Sequence, residues 1–222
     1  QRGTNDPAVF SGLIMALRYC GLLDASAAAH DQAQQLDPHI STSASHTYWM
    51  MGRYDEALAT VDRDRDFGAD EAFVLESMGR YEDALSIFDE RRHRLTANGA
   101  LPGSPAFAIL AGFEGVMCRD RDAAMAMFNS FDKFPDPEGQ YYMARSAARL
   151  GETEAALDAL ESAEQSGFFC HAIYARDPWL DPLRGDPRLN AVLRRTEDRM
   201  REAARAFEEH PGSRVLTVGG RA

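Results

Sequence analysis

The chain has 222 residues, 45% hydrophobic and 27% charged, and its 35 acidic and 24 basic side chains give a formal net charge of −11 at pH 7. That apolar share supports a substantial core in one large domain or two small ones and excludes a disordered chain. The negative field repels phosphate backbones and anionic lipid headgroups, which argues against nucleic acid or membrane as a direct partner.

No apolar run approaches the roughly twenty residues of a membrane-spanning helix. Cys20, Cys118 and Cys170 are odd in number, far apart and in apolar company, so reduced thiols in a cytoplasmic protein are expected rather than a disulfide framework. The first residue is Gln1 and no charged-then-apolar leader follows it, so the chain reads as a piece of a longer protein with further domains before Gln1. Lys133 is the only lysine, an arginine bias that suggests a GC-rich, bacterial genome.

In chain order, the run Pro7–Cys20 reads as a helix that meets a turn at Gly21. A second helix follows, with Leu23, Ser26, Ala27 and Ala33 before Asp37-Pro38, and the two make a helical hairpin over 7–38. "ISTSASHTYWMM" and "GRYDEALATV" make the next, over 39–66: Tyr54, Ala57, Leu58 and Val61 fall at i, i+3, i+4 and i+7, one face of a helix. The third, over 69–95, pairs a clipped helix with "GRYEDALSIF", where Tyr81, Ala84, Leu85 and Phe88 repeat the stripe. Tyr54 and Tyr81 are expected in the cores of their hairpins.

The segment "RRHRLTANGALPGSP", with Asn98-Gly99 and Pro102-Gly103, is expected as an inserted loop. A fourth hairpin over 104–133 turns at Arg119 instead of glycine, and a fifth over 137–166 turns at Gly151. Three Asp-Pro steps at Asp177, Asp181 and Asp186 then break the pattern, so 167–186 is expected to be irregular. Asp186-Pro187 launches a helix over 187–209 carrying Leu189, Val192, Leu193, Met200 and Phe207, suited to cap an array of stacked hairpins. Residues 1–210 thus read as one domain and 211–222 as a flexible tail.

The recurring grammar resembles the tetratricopeptide repeat family. Phe10, Leu13, Leu17, Gly21, Ala33 and Pro38 of the first hairpin stand at its aromatic, apolar, turn, small and terminal-proline sites. The turn spacing departs from the family period of about 34 residues. The resemblance implies an all-α, right-handed superhelix of about five hairpins whose first helices line a concave groove. The stripe facing that groove would be Ser11, Met15 and Arg18, then Thr42, His46 and Trp49, then Phe73 and Glu76, then Ile109, Phe113 and Val116, then Tyr141, Arg145 and Arg149.

Trp49 and Tyr141 are the expected anchors for a partner, since aromatic and arginine side chains dominate interface hot spots. The lysines and asparagines with which the family clamps a chaperone's acidic C-terminal peptide do not occupy the stripe, so that activity is not carried over. The run Trp179–Leu189 is also similar to the end of repeat arrays in bacterial multidomain proteins that carry a DNA-binding, nucleotide cyclase or kinase domain.

Chemistry is sparse. Asp62, Asp64 and Asp66 alternate like a calcium loop, but Phe67 and Phe73 stand where its glycine and bidentate glutamate belong. Cys170 and His171 are neighbours on one helix and point in divergent directions. No metal-ligand spacing and no phosphate loop appears, so no catalytic residue, cofactor or metal is expected. The functional reading is a non-catalytic interaction or scaffold module that takes a protein segment or neighbouring domain in its groove, with homo-oligomers an option. The alternative is a regulatory sensor whose groove takes a small ligand and controls a catalytic or DNA-binding domain elsewhere in the longer protein.

Overall fold

Aspartate followed by proline sets where the main helices begin. In the computed structural model, which describes residues 6–63, 69–130, 136–210 and 213–217, Asp6, Asp136 and Asp186 each sit in extended backbone and accept a bond from an amide of the first turn, with proline at the first helical position. Those caps open α1 (Pro7–Tyr19), α9 (Pro137–Arg149) and α12 (Pro187–Glu209). Between them lie α2 (Leu23–Leu36), α3 (Ala44–Met51), α4 (Tyr54–Thr60), α5 (Ala69–Ser77), α6 (Tyr81–Ala97), α7 (Pro105–Cys118), α8 (Arg121–Ser130), α10 (Thr153–Gln165) and α11 (His171–Arg176). A 3-10 helix spans Pro178–Leu183 and a short α13 spans Ser213–Thr217. The described residues are all-helical, with no strand among them.

Consecutive helices pack as pairs, α1 with α2, α3 with α4, α5 with α6, α7 with α8 and α9 with α10. The second helix of each of the first three pairs packs on the first helix of the next. Each pair is joined by a tight turn whose central residue has a left-handed backbone: φ is 76° at Gly21 and Gly52, 75° at Gly79 and 83° at Gly151. In α7–α8 that place belongs to Arg119, at φ 60°, the only described non-glycine residue with positive φ. A side chain in that region costs about 1 kcal/mol relative to glycine.

Small residues let the paired helices approach. A Cβ added at Gly112 would lie 2.2 Å from the Cβ of Met127, and one at Gly115 would lie 2.9 Å from the Cβ of Ala123 and 3.0 Å from backbone atoms. The buried side chains fall into three clusters. One joins α1, α2 and α13; a second joins α5 to α8 and takes in Trp179; the largest joins α3, α9, α10, α11, the 3-10 helix and α12. The long helix α12 packs on α10 and α11, burying Leu189, Val192 and Thr196 against them while its arginines and acids line the other faces.

Four expectations change. Residues 91–97 continue α6 instead of forming a loop, because Arg91, Arg92 and Arg94 find carboxylate and carbonyl partners along and beside that helix. Part of the expected tail is helical, with Leu216 buried against α1 and α2. The stretch 167–186, expected to be irregular, carries α11 and the 3-10 helix, with Asp181-Pro182 inside the latter. Tyr81 is exposed along one side, its hydroxyl donating to the carbonyl of Met117, while Tyr54 packs against the largest cluster as expected. Asp64, Asp66 and Phe67 of the acidic run lie outside the described residues.

Candidate functional site

Glu138, Tyr142, Arg145 and Arg149 lie four, three and four residues apart along α9, so they share one face of that helix. Their partners lie on the first helices of the earlier pairs and advance from α1 to α7 along the face. Glu138 accepts from Nε and Nη2 of Arg18 on α1, at 2.8 and 2.7 Å. Tyr142 lies against His46 and Trp49 of α3 and stacks on Phe73 of α5, centroids 6.5 Å apart. The Arg145 guanidinium sits 4.9 Å from the Trp49 ring and 5.2 Å from Phe73. Arg149 donates to Glu76 of α5 at 2.9 Å and to the carbonyls of Val116 and Met117 at 3.2 Å. Those carbonyls belong to the last turn of α7, whose negative dipole end is a natural place for a cation. Side chains of α9 therefore touch α1, α3, α5 and α7.

A second layer fixes the arginines. Asp177, at the start of the 3-10 helix, accepts from Nε of Arg145 at 2.5 Å and from the Tyr141 hydroxyl at 2.7 Å. Burial would raise its carboxyl, but the Arg145 charge and then its hydrogen bonds hold it below the usual range. Trp179 stacks under both arginines, 3.7 Å from Arg145 and 4.3 Å from Arg149, and donates to Glu76 at 3.1 Å. Nη1 of Arg145 has no hydrogen-bond acceptor among the described residues, and the faces of Trp49, Phe73 and Trp179 surround its guanidinium instead.

At the other end, His46 is held as an imidazolium. Burial alone would lower its pKa; Asp70, whose Oδ2 accepts a hydrogen bond from Nε2–H at 2.8 Å, and then Glu138 outweigh that and hold it at about 10. Its Nδ1 proton goes to the Tyr142 hydroxyl at 2.6 Å. Burial would likewise raise Glu138, yet Arg18 and then His46 bring it down to about 2. A histidine so held takes up no proton near neutrality, and burial pushes the Cys170 thiol up to about 12. Neither offers a general base or thiolate.

The groove stripe is thus largely covered, which corrects the expectation of an open aromatic floor. Arg18, Trp49, Phe73, Val116, Tyr141 and Arg145 are buried, because α9 lies over the first helices and the 3-10 helix closes behind it. The expected anchors face inward: Trp49 donates to the Ser77 hydroxyl at 2.9 Å, and Tyr141 is fully enclosed with Phe168 and Tyr174. Glu76, Phe113, Ile109 and Arg149 are half-buried, with Phe113 edge-on to Phe73 at 5.7 Å. Sequence reasoning missed Glu138, Tyr142, Asp177 and Trp179 as members of this seam. The only signal was the spacing of the first two with Arg145 and Arg149 along one helix.

Beyond the N-terminal end of α9 the inner side stays open. Ser11, Met15, Thr42 and His46 line a cleft of about 390 Å³ with Asp62 and Asp70 on its wall, and Met15 is 47% exposed there. Thr42 is steadied by His30, whose Nδ1 lies 2.8 Å from its hydroxyl. Among the described residues no group of three or more His, Cys, Asp or Glu is arranged to hold a metal ion, and no helix is long and apolar enough to cross a membrane. No family model, curated protein or solved structure matches the chain.

Proposed function

We propose that the chain is a non-catalytic interaction module: helix pairs wound as a right-handed superhelix of the tetratricopeptide kind, whose inner side receives a protein segment from a separate protein or a neighbouring domain. The observation that supports this is α9 itself. Three first helices present Arg18, His46, Trp49, Phe73 and Glu76 to α9, and that helix answers with an acid, an aromatic ring and two arginines along one face. A surface built to hold a helix by alternate charge and ring contacts is a recognition surface in kind. In this chain most of it serves the fold, and the cleft at Ser11, Met15, Thr42 and His46 is where the same inner side remains accessible.

Asp62 beside that cleft, and the overall charge of −11, favour a segment that carries basic side chains. Met15 supplies the apolar contact. Panning a displayed peptide library against the domain tests this. Enriched peptides should share a lysine or arginine, and Met15→Arg should weaken them about tenfold or more, whereas Arg201→Glu on the exposed side of α12 should leave them unchanged. Failure to enrich any sequence, or peptides indifferent to Met15→Arg, would overturn the assignment.

A further inference from the structure

A second cleft, of about 350 Å³, opens where the α7–α8 turn, the α9–α10 turn and the 3-10 helix meet. Its volume is within the range of small-molecule sites. Arg119, Arg121 and Arg149 supply every charged side chain of its lining, and Leu150, Pro178 and Pro182 supply apolar wall. Arg149 is already engaged with Glu76 and two carbonyls, and Arg121 pairs with Glu152 at the rim. Arg119 is different. It is exposed, and its guanidinium makes no hydrogen bond or ion pair with any described residue.

Its backbone adds an independent point. The equivalent turn position is glycine in the other four pairs, and Arg119 holds the same left-handed conformation at φ 60°, ψ 30° against the preference of its side chain. Strain retained where glycine would relieve it marks a side chain with work elsewhere. The five donors of its guanidinium, on the lining of an arginine-rich cleft in a strongly acidic protein, suit a planar or tetrahedral oxyanion. Asp120 and Asp122 flank the turn, but Asp120 is spent on capping the amide of Ala123 and neither lines the cleft.

We propose that this cleft binds a small molecule bearing a phosphate or carboxylate group, gripped by Arg119, with its apolar part against Pro178 and Pro182. The site is separate from the peptide cleft and does not depend on it. Thermal unfolding of the domain at fixed ionic strength, with phenyl phosphate, benzoate and inorganic phosphate as probes, tests it. At least one probe should raise the melting temperature of the parent protein in a saturable way. The preferred probe distinguishes a phosphate ligand from a carboxylate one, and inorganic phosphate shows whether the apolar part contributes. Arg119→Gly, which relieves the turn, should melt about 2–4 °C higher without ligand and lose the probe-dependent rise. Arg119→Lys should keep a weakened rise. Absence of a saturable rise with all three probes, or a rise that survives undiminished in Arg119→Gly, would overturn the proposal.

Discussion

At the scale of single residues, the inner seam is held by charges whose ionisation the fold has moved, and pH should reveal it. His46 has a folded pKa of about 10 against an ordinary 6.5, so its contribution is fully present below pH 6.5 and is lost as pH rises through about 10. Glu138, brought down to about 2, works the other way: its contribution is present above the ordinary carboxylate range and disappears as pH falls toward 2. The unfolding free energy should therefore decline between pH 7 and 10. His46→Gln should flatten that alkaline limb, and a limb unchanged in the variant would place the titrating group elsewhere. Arg145 and Asp177 should behave as a closed unit. Asp177→Ala strands a buried guanidinium and should cost about 3–5 kcal/mol in chemical unfolding, whereas an exposed pair such as Arg80–Asp83 should cost about 0–1 kcal/mol.

At the scale of elements, helix pairing was legible because it depends on local signals. Tyr54, Ala57 and Leu58 fall on one face just past a glycine turn, and Asp186-Pro187 starts α12 where cap chemistry says it should. Residues 91–97 misled because the Asn98-Gly99 and Pro102-Gly103 pairs mark their segment as a loop; Arg91, Arg92 and Arg94 instead find partners both along α6, at Asp89 and Glu90, and on other segments, at Glu114 and the carbonyl of Arg63. The closeness of α7 and α8 rests on Gly112. Gly112→Ala would push a methyl into Met127 and should destabilise the protein by about 1–3 kcal/mol, measured by urea unfolding. A neutral result would mean that α7 and α8 are farther apart than described.

At the scale of the whole molecule, the role of α9 was not legible. A face carrying Glu138, Tyr142, Arg145 and Arg149 has the polarity of a surface, and it is buried only because its partners arrive from α1, α3, α5 and α7. No periodicity encodes a pairing across 120 residues. The same pairing filled the groove that the first helices appeared, by register, to offer. The cleft at Met15 and the arginine-lined cleft at Arg119 remain accessible beside it.

Whether α9 lies against the first helix is decided most directly by a double-mutant cycle on Arg18 and Glu138, with Arg18→Met, Glu138→Gln and the pair compared by urea unfolding at pH 7. Because the two groups are buried and joined at 2.7 and 2.8 Å, each single change should be severe. The double change should be milder than their sum by about 2 kcal/mol or more. Single effects that simply add, to within about 0.5 kcal/mol, would show that the two side chains do not touch and would remove α9 from the inner side of the fold.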